Sequence, residues 1–145
     1  MKAPVKEVQS LLDEVRRLFH VATGAAERLH FEERVSIGMR AVLEYLDKHG
    51  ATTVPSIAAA RGVSRQHIQT LVNALLEVDL VITEANPAHK RSVLISLTAA
   101  GAECIQAMKK RERAYLAEVC EALDAAALES ACITLAEVRK VLEAR

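Results

Sequence analysis

The chain has 145 residues, 51% of them hydrophobic and 26% charged, with three prolines and five glycines; that is enough for one cooperative body with its own core, and the composition excludes a disordered chain. Aromatic residues make up 3% and tryptophan is absent, which favours helices with aliphatic seams over a sheet-rich fold. Acidic and basic residues balance at 19 each, so any nucleic-acid partner must be met by local rather than global charge.

The start, Met1 to Lys6, leads into an amphipathic pattern rather than a signal-peptide core, and no apolar run approaches the length of a membrane span. The expected location is therefore the cytoplasm, with no membrane partner. Val5, Val8, Leu12, Val15, Phe19, Ala22, Ala26 and Leu29 are separated alternately by three and four residues, which predicts one long N-terminal helix packed lengthwise on other helices. Leu11, Leu18 and Ala25 add a flanking stripe. Together they give more apolar face than one packing partner requires, and a subunit interface would use it.

A second helix follows from Val35, Met39, Val42, Leu43 and Leu46, closed at His49-Gly50 by a glycine able to take the left-handed conformation. Thr53 or Val54 opens a short helix with Pro55 in its first turn, running to about Arg61. Gly62-Val63-Ser64 interrupts the pattern. Ser64 then caps a helix carrying Ile68, Leu71, Val72, Leu75 and Leu76 on one face. From Leu80 to Glu84 and from Ser92 to Leu97 the residues turn β-branched and apolar, which predicts a hairpin whose tip, Asn86 to Arg91, is basic. Thr98 starts a long helix through Ile105, Met108, Leu116, Val119 and Leu123, and Leu128, Ala131, Leu135, Val138 and Leu142 supply the last one.

Ala58, Gly62 and Ile68 have the chemistry a helix-turn-helix needs. A small residue lets the helices cross closely, a glycine makes the tight turn, and an apolar plug with Leu71 fills the angle between them. The other face of the second helix carries Ser64, Arg65, Gln66, His67, Gln69, Thr70 and Asn73, none acidic, all able to meet base edges or phosphates in a major groove. An isolated match of this kind also fits a plain helical hairpin whose polar face meets only water. The basic hairpin that follows makes the unit a winged helix, whose tip can place a cation in the minor groove.

The run TTVPSIAAARGVSRQHIQTLVNALLEVDLVITEANPAHKRSVLISLTAAG, Thr53 through Gly101, resembles the DNA-binding lobe of the multiple antibiotic resistance regulator (MarR) family, most distinctively at Leu97-Thr98-Ala99-Ala100-Gly101. The resemblance implies a mainly α fold with a small β-hairpin wing. A winged helix-turn-helix lobe over 34–100 would be flanked by N- and C-terminal dimerisation helices over 4–30 and 101–145, in a single MarR-like domain. It implies a homodimer on double-stranded DNA with a pseudo-palindromic operator, often a repressor released by a small-molecule effector. DNA contacts would come from Thr53, Ser64, Arg65, Gln66, His67, Gln69, Thr70, Asn73, His89, Lys90 and Arg91. Arg65, Gln66 and Gln69 would read bases, Ser64, Thr70 and Asn73 would sit on phosphate, and Lys90 and Arg91 in the minor groove. The region matching the family's effector site holds Arg16, Phe19, His20, His30, Phe31 and Met39. The chain departs from the family at Asn86 and His89, where the wing often has aspartates, at Asp79, where a glycine is frequent, and at Thr83, where a basic residue is common.

Enzymatic chemistry is not expected: there is no glycine-rich phosphate loop and no nucleophile elbow, and the five histidines are scattered singly, without metal-ligand spacing. Neither cofactor nor metal is expected. Cys104, Cys120 and Cys132 lack the pairing of a disulfide framework and are expected to be buried, reduced thiols. Lys109-Lys110-Arg111-Glu112-Arg113 reads as a solvated helix face. Two other functions fit the same residues. One is a winged-helix protein-interaction module with weak DNA binding; the other is a cysteine-based redox switch on the repressor, which needs an exposed thiol of lowered pKa.

Overall fold

The computed structural model describes residues 2–30 and 34–145. In chain order the elements are α1 (Val5–Leu29), α2 (Ile37–His49), α3 (Val54–Arg61), α4 (Arg65–Glu77), β1 (Val81–Glu84), β2 (Leu94–Leu97), α5 (Ala99–Cys120) and α6 (Ala125–Glu143). They form two compact units that divide within α5, at residues 1–109 and 110–145.

In the first unit, α4 packs on α2, α3 and β1, while β2 covers α2. The side chains between them are aliphatic: Val42, Leu43, Ile57, Ile68, Val72, Leu75, Ile105 and Met108 are all fully buried. Burying an aliphatic side chain stabilises a fold by roughly 1.5–3 kcal/mol, so this cluster is what holds the unit together. Ile105 and Met108 lie beyond the boundary expected at residue 100, because the first turns of α5 close the underside of the core.

Polar signals set the helix ends. Ser36 accepts from the Met39 amide (3.2 Å) to start α2, two residues later than the apolar pattern suggests, with Val35 buried ahead of it. Gly50 closes α2 at φ 77°, ψ −164°, a positive φ but not the left-handed helical region expected of it. The strands are shorter than expected. Leu80 is held by α4, its amide donating to the Leu75 carbonyl (3.0 Å), and Ser92 still belongs to the turn, donating to the His89 carbonyl (3.2 Å). β1 and β2 pair antiparallel, Val81 opposite Leu97 and Glu84 opposite Leu94. Thr52 adds a bridge, exchanging both backbone bonds with Ile95 (3.0 and 2.7 Å).

A polar clamp ties α2 to α5. The Asp47 carboxylate accepts from Gln106 Nε2 at 3.1 and 3.0 Å and pairs with Lys109 Nζ at 2.7 Å. The Lys109 hydrogen bond, outweighing partial desolvation and helped by the charge of Lys109 and the Gln106 bond, holds the Asp47 carboxyl below its ordinary 3.8. A carboxyl whose folded pKa is depressed adds stability above its unfolded pKa and loses it as pH falls through the folded value. Asp47→Asn is therefore expected to be less stable than the parent chain at neutral pH, with the gap closing once pH falls below 3.8. Denaturant titrations at neutral and acidic pH measure this, and a gap unchanged by acid would remove the charge from the account.

Helix α1 contacts α2 but buries no side chain of its own. Val5, Leu18, Phe19 and Val21 remain 61–74% exposed. In the second unit, the distal part of α5 turns into α6, whose first turn is capped by Asp124 accepting from the Ala127 amide (2.8 Å). Here too Tyr115, Leu116, Leu128, Ile133 and Leu142 are exposed, because two helices alone cannot enclose a side chain. The cysteines follow from this. Only Cys104 is half-buried, next to Met108, and desolvation raises its thiol pKa. Cys120 and Cys132 are exposed, against the expectation of burial, on helices whose apolar residues Leu116, Val119, Leu128 and Ile133 are exposed as well.

Candidate nucleic-acid interface

The interface is built on α3, the turn after it and α4. Thr53 starts α3, its Oγ1 accepting from the Ser56 amide (3.3 Å) and sharing a hydrogen bond with Ser56 Oγ (2.9 Å). Ala58 is buried where α3 meets α4, and a larger side chain there would push the two helices apart. Gly62 takes φ 64°, ψ 33°, the left-handed geometry that costs an L-residue about 1–2 kcal/mol. Val63 then donates back to the Ala58 carbonyl (3.1 Å), and Ser64 Oγ accepts from the His67 amide (3.1 Å) to open α4. The turn brings α4 out with Ile68, Val72 and Leu75 buried, which turns its other side to solvent.

On that side Ser64, Arg65, Gln66, His67, Gln69, Thr70 and Asn73 are all exposed. The structure therefore brings together the α4 residues proposed from sequence, on one surface free of acid. Their hydrogen-bonding states differ. Ser64 Oγ uses a lone pair on the helix amide and keeps its O–H free to donate. Thr70 has its single O–H engaged on the Gln66 carbonyl (3.0 Å). Gln69 Nε2 donates to Asn73 Oδ1 at 2.9 Å, a pairing that sequence reading missed although the four-residue spacing signals it. Among the described residues Arg65 makes no ion pair.

The wing presents the second group. Asn86 builds its tip: the side-chain oxygen accepts from the Ala88 amide (3.0 Å) and the carbonyl from the His89 amide (3.3 Å). His89, Lys90 and Arg91 are exposed at this turn. Among the described residues Arg91 has no carboxylate partner, as the missing wing aspartates imply.

The wing base is knotted to α4 and α5. Asp79 takes φ 56°, a left-handed conformation that aspartate tolerates better than most residues. Its carbonyl accepts from Thr98 Oγ1 (2.7 Å), and Thr98 Oγ1 in turn accepts from the Gly101 amide (2.9 Å). The segment from Leu97 to Gly101 is thus a junction rather than a contact surface.

The residues matched to an effector region do not share one environment. Arg16, Phe19 and His20 are exposed along α1, Arg16 pairing with Asp13 and Phe19 meeting His20 edge-on at 6.1 Å. His30 is buried at the end of α1 and Met39 lies in the core. Phe31 lies outside the described residues. Among the described residues no three histidine, cysteine or carboxylate side chains are placed to hold a metal ion, and no helix is long and apolar enough to cross a membrane.

Comparison with known proteins agrees with this architecture. The MarR family model matches residues 40–92, from α2 through the wing tip. An uncharacterized protein of Mycobacterium tuberculosis, Rv2011c, is 36% identical over 80 residues, covering 55% of this chain and 56% of that protein; the chain spans little more than half the length of the curated relatives it matches. The crystal structure of the MarR family transcription regulator SP03579 superposes with a TM-score of 0.86 at 29% identity, covering 95% of this chain and 92% of the other. At the level of fold alone, Staphylococcus aureus MarR in complex with salicylate and kanamycin gives a TM-score of 0.87 at 17% identity, covering 97% and 95%. Staphylococcus aureus MepR in its DNA complex gives 0.80 at 18% identity, covering 88% and 94%. The matched segment and the shared fold both coincide with the helix-turn-helix and wing, and over these residues the chain is similar to MarR family transcription regulators.

Proposed function

We propose that the chain is a sequence-specific DNA-binding transcriptional regulator, a ligand-responsive repressor that works in the cytoplasm as a homodimer on a pseudo-palindromic operator. The observation that carries this reading is the acid-free polar face of α4, exposed over Ser64 to Asn73, in one unit with a wing whose tip exposes His89, Lys90 and Arg91. A helix of that chemistry suits a major groove, and a basic tip suits the minor groove beside it. Arg65, whose planar fork makes no ion pair among the described residues, is the side chain best suited to the O6/N7 edge of a guanine, and Ser64 has an O–H to donate to phosphate. The DNA complex of MepR supports the partner. The apolar faces left exposed on α1, distal α5 and α6 support a second copy of the chain as their cover. The complex of Staphylococcus aureus MarR with salicylate and kanamycin supports an effector, for which Arg16, Phe19, His20, His30, Phe31 and Met39 are the candidate contacts.

The test is a gel-shift titration against the DNA upstream of the chain's own gene, at two salt concentrations, with unrelated DNA as competitor. Retention that resists the competitor and weakens steeply with salt is expected. Arg91→Ala should weaken binding to all sequences and reduce the slope of log K against log salt by about 0.9, one phosphate equivalent. No retention at either salt would instead favour the protein-interaction module that a net charge of zero permits.

A further inference from the structure

Among the groups exposed on α4, one pair is already organised before any ligand arrives. Gln69 Nε2 donates to Asn73 Oδ1 at 2.9 Å, one turn further along the helix, and both side chains are exposed. A carboxamide nitrogen carries two hydrogens. One is engaged on Asn73, which leaves Gln69 with one N–H donor and its Oε1 acceptor unoccupied. Bidentate recognition of adenine in the major groove requires that combination, a donor to N7 and an acceptor from the N6 amino group. Gln69 is the fifth residue of α4, within the N-terminal half that a recognition helix offers to base edges.

Building on the DNA-binding reading above, we infer that Gln69 is a specificity-determining residue that reads an adenine in each operator half-site, and that Asn73 is its positioning residue rather than a phosphate ligand. Holding a long, exposed side chain in one rotamer before binding removes ordering entropy from the encounter. It also chooses between the two orientations of the amide. With Nε2 turned to Asn73, the acceptor edge of Gln69 is fixed, and the reverse pattern of a base presenting its acceptor to Oε1 is disfavoured. The Asn73 oxygen, engaged on Gln69, acts on the base only through that partner, while the Asn73 Nδ2 donors stay available.

The experiment is selection of bound duplexes from a randomised library by the full-length chain and by Gln69→Ala, Asn73→Ala and Asn73→Asp, followed by affinity measurements on the selected site. The parent chain should fix an adenine at one position per half-site whose preference disappears in Gln69→Ala. Exchanging that A·T pair for G·C should weaken the parent on the order of tenfold, and 7-deazaadenine there, which lacks the N7 acceptor, should weaken the parent but leave Gln69→Ala indifferent. Asn73→Ala should lose most of the A·T preference. Asn73→Asp, which keeps the acceptor, should retain the preference while its added charge lowers affinity for every sequence. The inference is overturned if Asn73→Ala weakens A·T and G·C sites equally with their ratio intact, the behaviour of a phosphate ligand. It is also overturned if Gln69→Ala keeps the full base preference. If the parent chain enriches no sequence at all, the DNA-binding reading falls and this inference with it, an outcome distinct from enrichment without an adenine at the Gln69 position.

Discussion

Gly101→Ala is expected to destabilise the winged-helix unit by about 3 kcal/mol or more, at the upper end of what overpacking does. A Cβ at this position would lie 1.9 Å from the Leu80 carbonyl oxygen and 3.0 Å from its carbon. Both are backbone atoms, so no side-chain rotation relieves the overlap. The Leu80 carbonyl is also committed, accepting from the Thr98 amide at 3.1 Å, and Thr98 Oγ1 links Asp79 to Gly101 itself. To admit a methyl group, the first turn of α5 must lift off the wing base and break that set of bonds. Urea denaturation followed by circular dichroism should show a lower midpoint with little change in slope. Ala100→Gly, at an exposed neighbouring position, serves as the control and should lose only about 0.5–1 kcal/mol. If Gly101→Ala melted with the control, the two backbones would be shown to separate freely, and the LTAAG segment would lose its structural explanation.

The second large effect is expected at Ile68. Its side chain is fully buried on the core face of α4, the helix that packs on α2 and α3, and Ile68→Ala should lose about 2–5 kcal/mol through lost transfer energy and the cavity left behind. Ile68→Val, which deletes one methyl group, should lose only about 0.5–1.5 kcal/mol. Because α4 holds both this plug and the proposed reading face, the alanine variant should also weaken DNA binding for every sequence as the helix loses its seat. Gln69→Ala, one residue away but exposed, should leave stability within about 0.5 kcal/mol and change only base preference. Denaturation and duplex binding measured on the two variants therefore separate support of the helix from its reading surface. Equal stability of the two would mean that the core relaxes around position 68.

Three features recruit residues far apart in the chain to the winged-helix unit. Asp47 reaches Gln106 and Lys109 across 59 and 62 positions, and Thr98 reaches Asp79 across 19. Each fixes where α5 leaves the core. The exposed apolar residues of α1, distal α5 and α6 take no part in that core.

What could be read from the sequence was local. Helix extents followed from apolar spacing of three and four residues, and the ends of α3 and α4 from Thr53, Gly62 and Ser64, since a cap or a left-handed turn is decided within four residues of itself. The surface of α4 was legible for the same reason: once Ile68, Val72 and Leu75 are assigned inward, the helix period places Gln66, Gln69 and Asn73 outward. Only the tertiary structure decided that Thr52 bridges to Ile95, and that Gly101 is a glycine because the Leu80 carbonyl occupies the place of a side chain. It also decided that Cys120 and Cys132 are exposed. Each of these depends on the position of an element distant in the chain or on the absence of one, and spacing along the sequence carries no measure of that distance.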